Sequence, residues 1–575
     1  MKSIFLTIIA LLFATQSNAA ILVVSPNGSY TTATSLSSAA VRADAAGKTV
    51  VVTSPQIFSN MSTLGGWPAD RTLKIEKGGS LSTTQLFRVN GPFESGVQTV
   101  FTGTGTVIFA PGSVDESRPE WFGAYSNGTN AAATTTAINR AITSFSKVKF
   151  ATGGTYLVTN VVCNLSGRQL IGDNTTIKAT TGVTGTVMLI APSTSAVVHS
   201  LTNVEITGIT VDSALSTGAD CIGVQSTSLF KAKKIVTYGG LRGLNIQTSV
   251  LVYVDDSLFQ GAGAHGLLIE SFTDGIGTWA QVTRCVVTGN GYGAIFSNFP
   301  SVWVDKCIIY NNTNYGIKAV MDAGYHTSGT YTVLSDNDID SNGADGVILV
   351  NQTKFLLSGN WVSGGRVLAA NGVSLFNSRN GSVSNNNIFA NGLVGLWMQG
   401  CTNILVGNNT ITDNGNSGLI ADTTVNLSIS NNLISTTAER FLPSPQAYGV
   451  LIHSNCSGCQ LLTNIITGNT VNVSNLSTDT PAISSGSGGA LTNNGVPTVI
   501  FTVTTYGVYL VTVTFNADAN NFGSLLLFSY ASTGSSFISL KTGTAQSFTV
   551  SGGSITSTQT TGGSAITTVN SIQLQ

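Results

Sequence analysis

Charge is scarce in this chain: Asp, Glu, Lys and Arg make up only 9% of its 575 residues, and the formal balance is −1. Ordinary soluble domains carry about 25% charged residues. No basic patch stands out, which excludes nucleic acid as the expected partner. Proline is sparse as well, at 12, and the seven cysteines are scattered rather than set in a framework. An odd number leaves at least one thiol unpaired or paired between chains. Cys456-Ser-Gly-Cys459 has redox or zinc spacing, but no second pair or flanking His supports a metal; a local disulfide or two plain thiols is expected. No Ser-His-Asp arrangement, phosphate loop or metal cluster is visible. Beyond the first residues, no segment approaches ~18 unbroken apolar residues, so no membrane-spanning helix is expected. The low charge does not signal disorder, because β-branched residues are frequent.

The N-terminus has its own pattern. Lys2 precedes an apolar run from Ile4 to Ala14, and small residues follow at Ser17-Asn18-Ala19-Ala20. A basic start, a short apolar core and small residues at the end read as a secretory signal peptide over 1–20, hence a secreted, extracellular protein.

Glycine is plentiful, at 64, and the chain repeats itself. Segments led by Val282, Val304, Leu334, Leu357, Val383, Val406 and Ile429 superpose without gaps, with Cys285, Cys307, Asn337, Asn360, Asn386, Asn409 and Asn432 at their fourth positions. Lys234 and Ser257 extend this column upstream and Asn469 downstream, at spacings of 23, 28, 22, 30, 23, 26, 23, 23 and 37. A second column places Gly before an apolar pair at Gly243, Gly266, Gly293, Gly316, Gly346, Gly372, Gly395, Gly418 and Gly449. A coil of roughly 23 residues cannot enclose a core alone, so neighbours must stack. Equivalent residues then form rows ~4.8 Å apart, and an Asn row can hydrogen-bond amide to amide. The apolar row Leu267, Ile317, Val347, Val373, Leu396, Leu419 and Val450 is the expected interior. Alternation by two, not by three and four, argues against a helical solenoid, and the Leu framework of a leucine-rich repeat is missing.

Three stretches complete the layout. Arg118-Pro-Glu-Trp-Phe-Gly-Ala124, Thr134-Thr-Thr-Ala-Ile-Asn-Arg-Ala-Ile142 and Lys149-Phe-Ala-Thr-Gly-Gly-Thr-Tyr156 together resemble the entry segment of the pectate-lyase superfamily and of phage tailspikes. That resemblance implies a right-handed, single-stranded parallel β-helix with a short helix capping its N-terminal end. It covers roughly 118–480 and is specific for fold more than for activity. The family's Gly-Asp-Gly and Asp-Asp-Thr stretches read here as Asn127-Gly128 and Thr134-Thr135-Thr136, and Thr can serve as a cap. The expected domains are an N-terminal β region at 21–117, the β-helix at 118–481, a Gly/Ser/Asn-rich linker at 482–497 and a C-terminal β-sandwich at 498–575. That last segment holds only Asp518 and Lys541 as charges, and it loosely resembles terminal domains of phage tail proteins. A surface so poor in charge suits burial by copies of itself, and a homotrimer is the expected assembly.

Candidate chemistry falls on inserted loops, where solenoids place function. Glu270 to Ala280 and Met321 to Thr330 follow the same strand two coils apart, and Thr436 to Ala447 precedes it. Glu270 or Asp274 pairing with Asp322 across ~10 Å approaches the ~6.5–9.5 Å of an inverting glycosidase. Trp279 and Tyr325 offer flat faces for sugar rings, with His326, Arg284 and Trp397 as further substrate-binding residues. A lyase would use Arg284 or Lys318 beside its base. The plainer account makes these residues solvated loop charges. Asp255-Asp256 with His265-Gly266, and Gly218-Ala-Asp220-Cys-Ile, resemble polygalacturonase elements, but order and spacing differ and the third motif is missing. Lys233, Asp256, Arg284, Lys306 and Asp336 instead read as a stacked surface charge row of small stability value. The outward row on the Gly-led strand reads Leu268, Ile295, Lys318, Ile348, Ser374, Trp397, Ile420 and Leu451, more apolar than a sugar cleft needs. The function expected is therefore a polysaccharide-binding and polysaccharide-degrading lyase or hydrolase. The alternative is a non-catalytic tailspike-like or adhesin-like receptor-binding trimer, virion-associated in that case. No cofactor is expected, with Ca2+ left open.

Overall fold

The computed structural model describes residues 21–33, 47–58, 66–193, 200–271, 279–298, 300–321, 331–364, 370–437 and 445–477 in full, and beyond them the backbone of the C-terminal strands between 498 and 574. These residues divide into two compact units, one running to Thr313 and one beginning at Asn314.

In the first unit, Ile21–Val24 pairs antiparallel with Tyr30–Thr32 and Thr49–Val52. From Thr49 on, pairing turns parallel: Val50 faces Leu73, and Leu73 faces Phe93. The region before residue 118 thus already stacks coil on coil. Phe93 packs against Phe101, Phe109 and Trp121 at ring distances of 5.6, 5.2 and 5.0 Å. The helix Ala131–Ser144 buries Ala137, Ile138, Ala141 and Ile142. The Thr residues do not cap it: Asn130 stands at the N-cap with φ 54 and no side-chain cap bond forms. Thr134 Oγ1 instead accepts the Tyr125 N–H, and Thr135 Oγ1 accepts the Thr159 N–H. These Thr residues stitch the entry segment to its flanks. Within the same segment, the buried Tyr156 hydroxyl donates to Glu120 and accepts the Ala151 N–H. Burial and the Glu120 charge push the Tyr156 phenol far up, so it stays a donor.

Each further coil contributes strands to two parallel sheets. In the second unit, one sheet runs through Val347–Val350, Val373–Phe376, Val394–Gln399, Ser417–Asp422 and Tyr448–Ile452, with Val347, Val373, Leu396, Leu419 and Val450 in register and at most 1% exposed. The other takes two short strands per coil, such as Arg379–Ser384 and Asn387–Phe389. Between them the chain turns through one left-handed residue, Asn385 at φ 58, a conformation Asn tolerates well. Asn386 then points inward. The side-chain amides of Asn337, Asn360, Asn386, Asn409 and Asn432 each donate to the next Oδ1, ending on Asn464, at 2.9–3.0 Å.

Register corrects the sequence alignment at three points. The ladder ends at Asn464, whereas Asn469 closes a second ladder, Asn391–Asn414–Gln446–Asn469, that the repeat alone did not reveal. Lys233 faces Asp255, so Lys234 belongs with Asp256 in the charge row and Ile235 with Ser257 in the ladder slot. Lastly, His265 faces Gly293 and Leu267 faces Ile295, so Ile295 is interior at 0% exposure and Phe296 takes the outward place. Hydrogen-bond register, not residue count, decides which side chains share a row.

The Gly-led column has a steric cause. A Cβ on Gly395 would meet the Gly418 carbonyl oxygen at 2.7 Å and Ile411 Cγ2 at 2.6 Å; Gly372 would meet Gly395 O at 2.7 Å. All seven cysteines are free thiols and buried. Cys285 and Cys307 fill the ladder slot, the Cys307 sulfur accepting the Cys285 N–H at 3.4 Å. C-terminal to residue 497, two antiparallel sheets follow, of three and four strands, as the alternating pattern there predicts.

Candidate functional site

Outward positions of one sheet in the first unit gather the unit's most unusual polar side chains. Its strands Ala219–Gln225, Leu244–Gln247, His265–Glu270 and Gly293–Asn298 run parallel and in register. Gly223, Asn245, Leu268 and Phe296 form one outward row, and Gln225, Gln247, Glu270 and Asn298 the next. Two residues before the pairs Ile222–Leu244–Leu267, the chain carries Asp220, Arg242 and His265 on consecutive coils.

Asp220 and Asn245 are only 6% and 5% exposed. Asn245 Nδ2 donates to Asp220 Oδ2 at 2.7 Å, and Arg242 Nη1 reaches the same oxygen at 3.4 Å. The other oxygen of each, Asp220 Oδ1 and Asn245 Oδ1, is buried and has no protein partner. Burial pushes the Asp220 carboxyl above its ordinary range, against the pull of Asn245 and Arg242. Burial also pushes up Glu270, which is half-buried at the strand end, and Arg242 again opposes the shift. One guanidinium therefore acts on two carboxyls that both hold protons more tightly than free ones. The His265 ring packs edge-on against Tyr292 at 5.3 Å and tilted against Phe296 at 5.6 Å. Gly223 leaves the row beside Asn245 without a side chain. A partly exposed guanidinium, an imidazole and a proton-holding carboxyl make a surface suited to hydroxyl and carboxylate groups.

Of the residues expected from sequence, Glu270 lies on this face. Trp279 stands just before Ala280–Thr283 in the other parallel sheet, its ring 5.8 Å from Trp303. Arg284 occupies the left-handed turn after that strand, its Nε on Asp256 Oδ1 at 2.8 Å and its Nη2 on Asp255. That is the surface charge row, so Arg284 and Glu270 are not brought together. Trp397 belongs to the second unit, outward on Val394–Gln399 and edge-on to Phe376 at 5.2 Å. Asp274, Asp322, Tyr325 and His326 lie outside the described residues. Arg242 and Asn245 were not anticipated. The signal was present: they flank Gly243 at the start of the Gly-led strand, one coil before the outward row was taken to begin. Among the described residues, no group of three or more His, Cys, Asp or Glu side chains is arranged to hold a metal ion, and no helix is long and apolar enough to cross a membrane.

Residues 323–496 match a family described as the right handed beta helix region. No curated protein matches. Among solved structures, tailspike protein 3 of bacteriophage CBA120 is similar at 16% identity and TM-score 0.49, over 61% of this chain and 58% of that one. The chain thus spans little more than half of that tailspike. The surface adhesin PfbA of Streptococcus pneumoniae is similar at 16% identity and TM-score 0.42, over 62% and 93%. The A-module of an Azotobacter vinelandii mannuronan C-5 epimerase follows at 15% and 0.37, over 61% and 96%. At these identities and scores the likenesses say nothing of activity. Parallel register, stacked ladders and the matched region agree on a right-handed parallel β-helix.

Proposed function

We propose that the protein binds and modifies an extracellular polysaccharide on the face that carries Asp220, Arg242, Asn245, His265 and Glu270. The observation that supports this reading is one guanidinium acting on two carboxyls whose proton affinity burial has raised. Arg242 neutralises an acidic group on the sugar. Asn245 and Asp220 position Arg242, Asn245 donating to the same Asp220 oxygen that the guanidinium reaches. Glu270, holding its proton to higher pH than a free carboxyl, serves as the acid toward a departing glycosidic oxygen. Asp274 and Asp322 stay proposed as catalytic carboxyls, and Trp279, Tyr325, His326 and Trp397 as sugar-binding residues. Lyase and hydrolase chemistry share these parts and differ in product.

Incubation of the full chain with a panel of acidic and neutral polysaccharides, reading new reducing ends and the ultraviolet absorbance of unsaturated ends, distinguishes the two. Parallel runs with chelator and with added Ca2+ test metal dependence. Reducing ends or absorbance that vanish in Arg242→Met support the reading; equal turnover in Arg242→Met and the parent would sink it.

A second reading is a receptor-binding trimer without chemistry. It is favoured by the second unit's outward row Ile348, Ser374, Trp397, Ile420 and Leu451, apolar at every place but Ser374; neighbouring subunits would cover this row. Glycan binding with no new ends, together with a trimer mass by light scattering, would select it.

A further inference from the structure

The seven thiols are not alike. In Cys456-Ser-Gly-Cys459 the two cysteines lie three residues apart in a turn between Tyr448–Ile452 and Gln460–Leu462. Cys456 N donates to His453 O at 3.1 Å, and Gly458 takes φ 62, the left-handed turn that brings the segment back on itself. The two sulfurs meet the same residue of the coil before, Cys456 Sγ at the Thr424 N–H and Cys459 Sγ at the Thr424 carbonyl. Both face inward at 2% exposure: the Cys456 sulfur lies 3.4 Å from Ala421 O and accepts the Thr424 N–H at 3.4 Å, while Cys459 Sγ is 3.9 Å from Thr424 O. A contact between neighbours in one tight turn needs little backbone movement to become a covalent bond.

We propose that Cys456 and Cys459 are a disulfide-forming pair that staples the last coils of the β-helix when the protein meets an oxidising thiol–disulfide couple. In the first step the Cys456 thiolate attacks a sulfur of a small-molecule or protein disulfide, and the reagent's other sulfur leaves as thiolate. In the second, the Cys459 thiolate attacks Cys456 Sγ and releases the second reagent thiol. The protein loses two electrons and two protons, and one reagent disulfide becomes two thiols.

A neighbouring pair shows why this one reacts. Cys285 and Cys307 also touch, one coil apart, but they fill the Asn-ladder slot and donate to Thr283 O and Asp305 O at 3.2 and 3.4 Å. Contact with Cys307 and burial hold the Cys285 thiol well up. Burial takes Cys163 to about 11 and Cys221 to about 12. Cys456, by contrast, is brought down to about 7 by the neighbouring Cys459, against the effect of burial. Cys456 thus supplies an attacking thiolate near neutral pH. The staple closes the turn that leads into Gln460–Leu462, Ile465–Thr467 and Val471–Asn475, where Ile465 and Leu476 are 63% and 55% exposed. Such weakly packed terminal coils fray first, and closing the turn narrows the states they reach.

The test uses the full chain, held natively and, separately, refolded from denaturant, in buffers of oxidised or reduced glutathione. Denaturation with a thiol-alkylating tag then counts free cysteines. The reduced sample should carry tags on all seven, and the oxidised sample on five, seven less the joined two, with a peptide linking Cys456 to Cys459. Cys459→Ser should retain a glutathione adduct at Cys456 instead. Amides of 460–476 should exchange several-fold more slowly in the oxidised form. Seven tags in both buffers after refolding, or a link joining Cys285 to Cys307 rather than Cys456 to Cys459, would overturn the proposal.

Discussion

Asn386 stands in the middle of the ladder, 4% exposed, and Asn386→Ala removes more than one bond. Its Oδ1 accepts from Asn360 N at 3.0 Å and from Asn360 Nδ2 at 2.9 Å. Its Nδ2 donates to Asn409 Oδ1, Leu357 O and Ser384 O, each at 3.0 Å. Alanine strands two buried donors of Asn360 and takes a donor from the Leu357 carbonyl, while Ser384 O keeps the Gly359 N–H at 3.3 Å. Each net bond is worth ~1 kcal/mol and each stranded buried group costs ~1–3 kcal/mol, so the loss should be about 3–5 kcal/mol once partial relaxation is allowed. The control is an amide row on the outside. Asn403 Nδ2 donates to Asn380 Oδ1 and accepts, through Oδ1, from Asn426 Nδ2, both at 2.9 Å, but in solvent. Asn403 has φ 55, so Asn403→Gly keeps its backbone and should cost under ~1 kcal/mol, since water replaces what is lost. Urea unfolding followed by tryptophan fluorescence, with hydrogen exchange at residues 360 and 409, measures both. If Asn386→Ala falls within ~1 kcal/mol of Asn403→Gly, buried amide stacking is not what fixes the coils.

Gly395→Ala should destabilise by ~2–3 kcal/mol through overpacking, because the new methyl meets backbone at Gly418, while Gly218→Ala, with nothing within 4 Å, should be neutral; midpoint shifts in urea decide it. Asp220 has its folded-state affinity for protons raised above the ordinary value of 3.8, so stability from this group is highest below that pH and declines as pH rises through the higher folded value. Asp220→Asn should remove that decline, and an unchanged difference between variant and parent across pH 3–7 would contradict it. Glu270, raised above 4.5, should impose an alkaline limb on turnover. Glu270→Gln should lower kcat by ~100-fold or more and abolish that limb, with circular dichroism unaltered.

Much of the fold was legible in the residues themselves. The Asn column, the Gly column and the apolar row each recur at the coil length, and each answers a local demand: an inward amide, a backbone approach too close for Cβ, an oily interior. Any chain that stacks like positions must show them as repeats. The entry segment was legible too, although its Thr residues turned out to bind flanking loops and not the helix end. Glu270 stands out in the sequence because it ends a strand before an inserted loop. Arg242 and Asn245 do not, because each looks ordinary in its own coil and only becomes unusual beside the next, and Asp220 shows only in a motif whose order and spacing are wrong. One-residue slips at Lys234 and Gly293, and the second ladder through Gln446, were hidden for the same reason. Sequence by itself determined that the chain winds in parallel coils and what each coil must place inside. Tertiary structure alone decided which residues from different coils meet on the outside, because that depends on hydrogen-bond register across unequal insertions, and a shift of one residue turns a side chain from core to solvent.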